Sequence, residues 1–422
     1  MSTRNTSSSS LCPILTIPNE VLLHILNLVE PIGKEKFVYY WLNDRRYHVS
    51  QWLLLRSVCR HFRALSVALD FWYREDFEFS QLLYRQYSWE AELQFIVILF
   101  SDENLAEALG RRKTNWVAHT FDELKTIVQG IPLFKENART IRLQSYYQYD
   151  IESVMELLSD CRHITTFETN LETDEHTSTL DLTVLATSLP LLENLCLTKM
   201  GKFAGSLENL VHLKSLHITS WNTHETSVPW LPLQSAHSLT ALRLTAAFET
   251  PHLSVYKLPC FSAFHNLTSL TIGPLTAEVC AYLLASNCHL ETFGLYFHMY
   301  LAPIDVVITM FQAECLQTVK NFFLLDYYPS YGLAAKLPAT ERYWSGVWDA
   351  LTSNLSSIEE LEFFSCLLPV ECCAFFSRMT NLKELSCHLE YDVSQSERNQ
   401  IEEAIVAAFA GFAQKPRLDI RL

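Results

Sequence analysis

The sequence contains little glycine, only 10 residues among 422. Glycine-rich loops that hold phosphate groups need glycine at fixed spacings, and neither G-x-x-x-x-G-K-[ST] nor G-x-G-x-x-G occurs. The metalloprotease pattern H-E-x-x-H and the hydrolase pattern G-x-S-x-G are also missing. We therefore expect a protein that is not an enzyme, with no catalytic residues, no metal site and no cofactor.

Positive charge is scarce as well, with 32 Lys and Arg against 47 Asp and Glu and a formal net charge of −15. Nucleic-acid binding relies on clustered Lys and Arg that neutralise phosphates, so nucleic acid is not an expected partner. The longest uncharged apolar run, residues 404–413, falls far short of the ~20 residues that span a bilayer. The first ten residues, MSTRNTSSSS, have no apolar core of a secretory signal. We expect an intracellular protein, in the cytoplasm, the nucleus or both, without a membrane partner.

The 12 cysteines show no C-x-x-C spacing and no interleaved histidines, so they do not form a zinc motif. Cys372 and Cys373 are adjacent within a helical pattern, which favours core packing. Scattered cysteines of this kind are typical of a reducing compartment. One alternative is left open, a nucleophilic cysteine in an apolar pocket whose histidine partner is adjacent only in space.

The most apolar stretch near the N-terminus is residues 15–28, LTIPNEVLLHILNL. A helix that begins near Pro18, where proline costs no hydrogen bond, has a single narrow polar stripe. The stripe consists of Glu20, His24 and Asn27. A second helix within residues 51–65 places an apolar face opposite a row of arginines. So small a unit buries only a modest part of its surface, so its apolar excess is covered either by the following domain or by another protein.

Three separated blocks then form a recognisable pattern. They read Ile17-Pro18-x-Glu20-Val21-Leu22-x-x-Ile25-Leu26-x-Leu28, then Val58-Cys59-Arg60-x-Phe62-x-x-Leu65, then Phe71-Trp72. This order resembles an F-box over about residues 14–80. Two departures are isoleucine in place of the usual leucine before the proline, and a long link at residues 31–50 with the aromatic run 37–42, which either packs internally or forms a contact surface.

The resemblance implies a partner. Members of the F-box family dock on a Skp-type adaptor and through it on a cullin. Carried over residue by residue, the adaptor contacts are Ile17, Pro18, Leu22, Ile25, Leu26, Val58, Cys59 and Phe62.

From residue 133 onwards apolar residues recur at positions 0, +3 and usually +5 of short segments. The matches are Ala138/Ile141/Leu143, Ile164/Phe167, Leu192/Leu195/Leu197, Leu213/Leu216/Ile218, Leu239/Leu242/Leu244, Leu267/Leu270/Ile272, Leu290/Phe293/Leu295, Leu316/Val319, Ile358/Leu361/Phe363 and Leu382/Leu385/Cys387. A +3/+5 pair has period two, which predicts a strand. Between several of these segments lie helix-like stretches, and from Leu195 to Phe293 the segments recur every ~21 to 28 residues.

This pattern resembles irregular leucine-rich repeats of the fungal type. The family stacks one strand and one helix per repeat into a solenoid whose strands line the concave face. It usually has Asn or Cys eight residues after position 0, and here only Cys366 fits. The alternative is a compact α/β domain with leucines at accidental spacings.

The fold class is thus predicted to be α+β multidomain. It comprises a disordered tail at residues 1–12, an all-α F-box-like unit at 13–80, a helical linker at 81–132 with turns near Gly110 and Gly130, and an α/β leucine-rich-repeat solenoid at 133–422.

Aromatic residues follow several predicted strands, at the rim where repeat proteins grip their partners. The candidates for contacting a target protein are Trp221, Trp230, Tyr296, Tyr327 and Tyr328. Burial under their own loops is the alternative. The two resemblances together imply the substrate-recognition subunit of an SCF-type cullin-RING ubiquitin ligase. A non-catalytic repeat scaffold, whose N-terminal helices only cap the solenoid, is the alternative.

Overall fold

A computed structural model of the chain provides the coordinates. It describes residues 37–42, 45–50, 100, 102–144, 151–170, 179–198, 202–221, 237–246, 264–273, 275, 277–297, 303–326, 338–364, 366–388 and 394–421. The chain divides into two compact units, one of residues 1–145 with 160–164 and one of residues 146–159 with 165–422.

Within the predicted F-box-like segment the described residues form a β-hairpin. Strands β1 (Phe37–Leu42) and β2 (Arg45–Ser50) pair antiparallel, from Phe37 opposite Ser50 to Leu42 opposite Arg45. The all-α prediction is therefore wrong for these residues. Their aromatic and β-branched side chains favour strand, and only two residues separate the strands, as in the commonest hairpins.

The rest of the first unit alternates helices and strands. The elements are α1 (Glu103–Arg112), β3 (Asn115–Ala118), α2 (Phe121–Gly130), α3 (Phe134–Asn137) and β4 (Thr140–Leu143). The Asp102 side chain caps α1 by accepting hydrogen bonds from two backbone N–H groups. The Thr120 side chain caps α2 by accepting a hydrogen bond from the Glu123 backbone N–H. Strands β3 and β4 pair parallel, with Trp116 opposite Ile141.

Strand β3 lies in the predicted helical linker and was not expected there. Its apolar residues Trp116 and Ala118 occupy positions +3 and +5, but Lys113 stands at position 0 where the other repeats have an apolar residue. Lys113 is only 2% exposed, and its Nζ lies 5.8 Å from the centroid of the Trp116 ring. A lysine whose stem is buried beside an aromatic ring breaks the apolar pattern without breaking the repeat.

Gly110 is also placed differently from its prediction as a turn residue. It lies inside α1, where a Cβ would come 1.7 Å from the Pro132 carbonyl oxygen. Glycine is needed there because helix and chain approach each other so closely.

In the second unit, each repeat contributes one strand to a parallel sheet, and two additional short strands pair with each other. The strands are β5 (Thr166–Asn170), β6 (Thr179–Asp181), β7 (Asn194–Thr198), β8 (Lys202–Ala204), β9 (Ser215–Trp221), β10 (Ala241–Ala246), β11 (Ser269–Gly273), β12 (Thr292–Phe297), β13 (Asn321–Asp326), β14 (Glu360–Phe364), β15 (Glu384–His388) and β16 (Arg417–Arg421). One parallel sheet runs in the order β16-β15-β14-β13-β12-β11-β10-β9-β7-β5, and β6 and β8 form a separate parallel pair. The second unit is thus an α/β fold whose sequential strands neighbour each other, as in leucine-rich-repeat-like solenoids.

Position +3 stands in register across the whole sheet. Its residues are Phe167, Leu195, Leu216, Leu242, Leu270, Phe293, Phe322, Leu361, Leu385 and Leu418. Position +5 forms a second row beside it, and both rows are buried from β5 to β15. The repeat spacing in the sequence therefore predicts the strand register correctly.

One repeat has a different frame from the predicted one. The sequence pattern puts Leu316 and Val319 at positions 0 and +3, but Phe322 is the residue that pairs with Phe293. Val319 therefore stands at position 0, and Leu324 supplies the +5 residue that the predicted frame lacks. Leu316 belongs to the preceding 3-10 helix Glu314–Leu316, and its spacing from Val319 imitates the repeat.

Helices lie between several of these strands along the chain, as the helix-like stretches of the sequence predict. They are α4 (Ile151–Leu158), α5 (Leu182–Ser188), α6 (Ala277–Leu284), α7 (Ile304–Phe311), α8 (Pro338–Asn354), the 3-10 helix Val370–Arg378 and α9 (Gln395–Ala408). They pack against the buried rows: the Phe311 and Phe322 rings are 5.9 Å apart, and the Trp348 and Phe363 rings 4.9 Å. None of the helices described is long and apolar enough to cross a membrane.

The turns are stabilised without the consensus asparagine of leucine-rich repeats. The residue before position 0 often carries a hydroxyl group that donates to the position-0 carbonyl of the preceding repeat. Examples are Ser238 to Leu213 at 2.8 Å, Thr318 to Leu290 at 2.9 Å and Ser357 to Val319 at 2.8 Å. Cys366 also fills the role expected of it, since its thiol donates to the Phe364 carbonyl at 3.2 Å.

These hydroxyl bonds can be tested at Ser357. Ser357→Ala is expected to lower the free energy of unfolding by about 1 kcal/mol, because the Val319 carbonyl loses its donor. Ser356→Ala, at the exposed neighbouring position, should change it by less than ~0.5 kcal/mol. Urea denaturation followed by circular dichroism measures both, and equal values for the two variants would argue against this role.

Candidate functional site

The face of the sheet opposite the helices is the candidate binding surface. Side chains alternate along a strand, so the residues between the buried positions point to this second face. From β12 to β16 many of them are aromatic or charged. They include Thr292 and Tyr296 on β12, Asn321 and Phe323 on β13, Glu360, Glu362 and Phe364 on β14, Glu384, Ser386 and His388 on β15, and Arg417 and Asp419 on β16.

Four rings cross this face from strand to strand, and we call them the aromatic row: Tyr296, Phe323, Phe364 and His388. The Tyr296 and Phe323 centroids are 5.6 Å apart, as are those of Phe323 and Phe364, and His388 stacks on Phe364 at 4.1 Å. At the other end of the row the Arg243 guanidinium lies 5.4 Å from the Tyr296 ring centroid and donates a hydrogen bond to its hydroxyl. The row is half-buried, so it presents ring surface on an otherwise polar sheet face.

A cavity of about 390 Å³, which we call the acidic groove, lies beside the aromatic row. The residues that line it include Phe323, the acidic residues Glu360, Glu362, Glu384 and Asp419, and Arg417. Among these residues, Arg417 Nη1 lies 3.9 Å from Glu384 Oε1. His388 of the aromatic row has its Nε2 3.8 Å from Glu362 Oε1. The groove therefore combines an aromatic wall with an excess of negative charge.

A second cluster on this face brings a thiol next to an imidazole. Cys196 Sγ and His217 Nδ1 are 3.2 Å apart on neighbouring strands. Burial, reinforced by the Glu168 charge, raises the pKa of the Cys196 thiol to about 11. Burial and then the Arg243 charge lower the pKa of His217 to about 4. Both shifts favour the neutral pair over thiolate and imidazolium, so this cysteine is not activated as a nucleophile.

The His217 shift makes stability depend on pH. The folded protein keeps His217 neutral down to about pH 4, whereas the unfolded chain protonates it near pH ~6.5. The unfolded state therefore binds more protons in this window, and stability falls as the pH is lowered through it. Between pH 7 and pH 5 the wild type should lose about 2 kcal/mol more than His217→Gln.

Urea titrations at the two pH values measure this difference. The matched control is His212→Gln, at an exposed position five residues earlier in the chain. A wild type and a His217→Gln variant that lose the same stability between pH 7 and pH 5 would contradict the assignment.

Among the residues that the structure describes, no group of three or more His, Cys, Asp or Glu side chains could hold a metal ion. Nine cysteines are described, all with free thiols, and eight of them are buried. Cys372 and Cys373 are both fully buried, as their predicted core role requires.

The contact residues predicted from the sequence differ in where the structure places them. Tyr296 lies on the candidate surface as a member of the aromatic row. Trp221 is the last residue of β9, and its backbone pairs with Ala246 beside a register shift. The remaining predicted contacts lie outside the described residues: Trp230, Tyr327, Tyr328 and the adaptor contacts Ile17, Pro18, Leu22, Ile25, Leu26, Val58, Cys59 and Phe62.

Sequence reasoning missed Phe323, Phe364 and the groove carboxylates. The available signal was the set of residues that alternate with positions +3 and +5. For β13 that signal was hidden, because the frame beginning at Leu316 did not include Phe323 in the strand. The predicted aromatic contacts follow the strands, whereas the aromatic row lies within them.

Comparisons with known proteins give only a distant likeness. No protein-family model matches the sequence, and no curated protein matches it. The chain is similar to the crystal structure of a protein from Bacteroides fragilis, with 12% identity, 78% of this chain and 83% of that chain covered, and a TM-score of 0.34. It is also similar to TLR13 in its complex with ssRNA13, with 15% identity, 66% of this chain covered and a TM-score of 0.28. It spans 47% of that TLR13 chain, and scores this low carry no argument about family or function.

Proposed function

We propose that this chain is the substrate-recognition subunit of an SCF-type cullin-RING ubiquitin ligase. Its N-terminal segment binds a Skp-type adaptor, and its repeats, as a leucine-rich-repeat solenoid, bind the protein to be ubiquitinated. The observation that carries the proposal is the order of the chain. Three F-box-like blocks within residues 14–80 precede a long series of parallel-strand repeats.

The sheet of the second unit suits the receptor role. Its helices cover one face, while the other presents half-buried rings and a charged groove. Such a receptor performs no bond chemistry itself. It raises the effective concentration of a target lysine near the ubiquitin-charged enzyme.

Adaptor capture tests the proposal. The full chain is co-expressed with an affinity-tagged Skp-type adaptor and is expected to co-purify with that adaptor. Pro18→Ala combined with Leu22→Asp should abolish capture, because a carboxylate would replace an apolar contact at the adaptor interface.

The matched control is a double variant with its two substitutions on the same predicted helix. His24→Ala with Asn27→Asp changes only the predicted polar stripe and should leave capture at the wild-type level. A wild-type chain that captures no adaptor would contradict the proposal and favour the repeat scaffold. Capture that both double variants retain would show that the predicted contacts are misassigned.

A further inference from the structure

The residues that line the acidic groove carry more negative than positive charge. Four of them are acidic and one is an arginine, and the Arg417–Glu384 ion pair is long, at 3.9 Å. Elsewhere on the same unit, ion pairs are tight: Lys214 to Glu193 is 2.7 Å and Lys383 to Glu359 is 2.5 Å. The Glu362 and Glu384 side chains are 47% and 38% exposed, so both can reach a ligand.

The aromatic wall of the groove selects among cations. The Phe323 ring is half-buried between Tyr296 and Phe364, each 5.6 Å away, so its position is fixed by packing. A guanidinium within ~6 Å of a ring centroid is attracted by the ring, and it can also donate two parallel hydrogen bonds to a carboxylate. Phe323 and Glu362 both line the groove and offer these two features together.

The chain already uses this chemistry at the next ring of the row. The Arg243 guanidinium lies 5.4 Å from the Tyr296 centroid. An arginine supplied from outside would occupy the corresponding place at Phe323. A lysine would satisfy the carboxylates as a point charge, but it lacks the planar group that stacks and pairs bidentately.

We infer that the acidic groove binds an arginine-bearing basic segment of a partner protein. The volume of about 390 Å³ lies at the small end of ligand pockets, which suits one or two side chains of an extended peptide. This inference rests on the proposed function for the identity of the partner, which is then the target to be ubiquitinated. The charge and ring arguments identify the chemistry of that target segment.

The experiment uses the full chain and three fluorescein-labelled peptides of equal length: GRGRGRGRG, GKGKGKGKG and GEGEGEGEG. Fluorescence anisotropy at moderate salt is expected to show the arginine peptide binding at least threefold more tightly than the lysine peptide. The glutamate peptide should not bind. Equal affinity for the arginine and lysine peptides overturns the role of the ring.

Variants locate the binding. Glu362→Gln with Glu384→Gln should weaken binding of the arginine peptide at least tenfold. The control, Glu402→Gln with Glu403→Gln, makes the same charge change at exposed positions on α9 and should alter binding by less than twofold. A loss of less than threefold in the groove variant, or an equal loss in the control, overturns the inference.

Two further variants distinguish the contribution of the Phe323 ring from that of the groove charge, and one of them also controls for misfolding. Phe323→Leu should remove the preference for arginine over lysine while leaving part of the affinity. Glu362→Lys with Glu384→Lys should gain binding to the glutamate peptide, a result that an unfolded groove cannot give.

The outcome is independent of adaptor capture. Groove binding without adaptor capture leaves this inference standing and removes the proposed function. Adaptor capture without groove binding does the reverse.

Discussion

Replacing Trp348 by alanine is expected to lower the free energy of unfolding of the second unit by about 4 kcal/mol. The side chain is fully buried on α8 and connects three elements. Its ring lies 4.9 Å from that of Phe363 on β14 and 5.8 Å from that of Phe376 in the 3-10 helix. Its Nε1 donates to the Leu367 carbonyl at 3.0 Å. Alanine leaves a cavity and an unsatisfied carbonyl, and the two costs act together.

Urea denaturation compares this variant with two others. Trp348→Phe keeps most ring contacts but loses the hydrogen bond, so it should cost about 1 to 2 kcal/mol. Val406→Ala, at a position that is 49% exposed, should cost less than ~0.5 kcal/mol. A Trp348→Ala cost no larger than that of Val406→Ala would mean that α8 does not pack on β14 as described.

Gly110→Ala is expected to destabilise the first unit by about 3 kcal/mol. The added Cβ would lie 1.7 Å from the Pro132 carbonyl oxygen and 3.1 Å from the Ile131 side chain, inside van der Waals contact with both. The obstacle at Pro132 is backbone, so side-chain rotation cannot relieve it. The Asn137 side chain also donates to the Gly110 carbonyl at 2.8 Å, and moving the helix weakens that bond.

Hydrogen exchange measured by mass spectrometry reports this effect locally. Amides within residues 103–143 should exchange about a hundredfold faster in Gly110→Ala, the factor that corresponds to about 3 kcal/mol. Gly411→Ala is the matched control, because a Cβ there meets nothing within 4 Å. Unchanged protection of residues 103–143 in Gly110→Ala would show that helix α1 does not approach Pro132 so closely.

The strand register of the second unit could be predicted from the sequence for a physical reason. A parallel sheet buried on one face needs apolar residues at period two, and a fixed offset between repeats aligns them across strands. Leu195, Leu216, Leu242 and Leu270 carried that signal without ambiguity. The helix-like stretches between repeats could also be recognised where apolar residues recur at helical spacing, as on α7 and α8.

The failures occurred where one residue imitated or concealed the pattern. Leu316 in its 3-10 helix stands three residues before Val319 and shifted the frame of β13. Lys113 concealed β3, because a buried lysine stem replaces an apolar side chain at position 0. Gly110 predicts a turn, but it instead allows α1 to approach the Pro132 carbonyl, a contact between segments that no local sequence signal marks.

The candidate surface was less predictable than the core that supports it. Tyr296 was found from the sequence as an aromatic residue near a strand end. Phe323 comes ~27 residues after Tyr296, and Phe364 comes a further ~41 residues along, with helix α8 between β13 and β14. Only the pairing of β12, β13 and β14 places the three rings 5.6 Å apart in succession.

The proposed delivery of a target to a ubiquitin ligase requires that this chain bind a Skp-type adaptor directly. Isothermal titration calorimetry of the purified full chain with the purified adaptor measures this binding. The proposal predicts saturable binding at one adaptor per chain, with a Kd of ~1 μM or tighter and a negative heat-capacity change from apolar burial. The absence of measurable heat and of co-elution at adaptor concentrations of ~100 μM would contradict it.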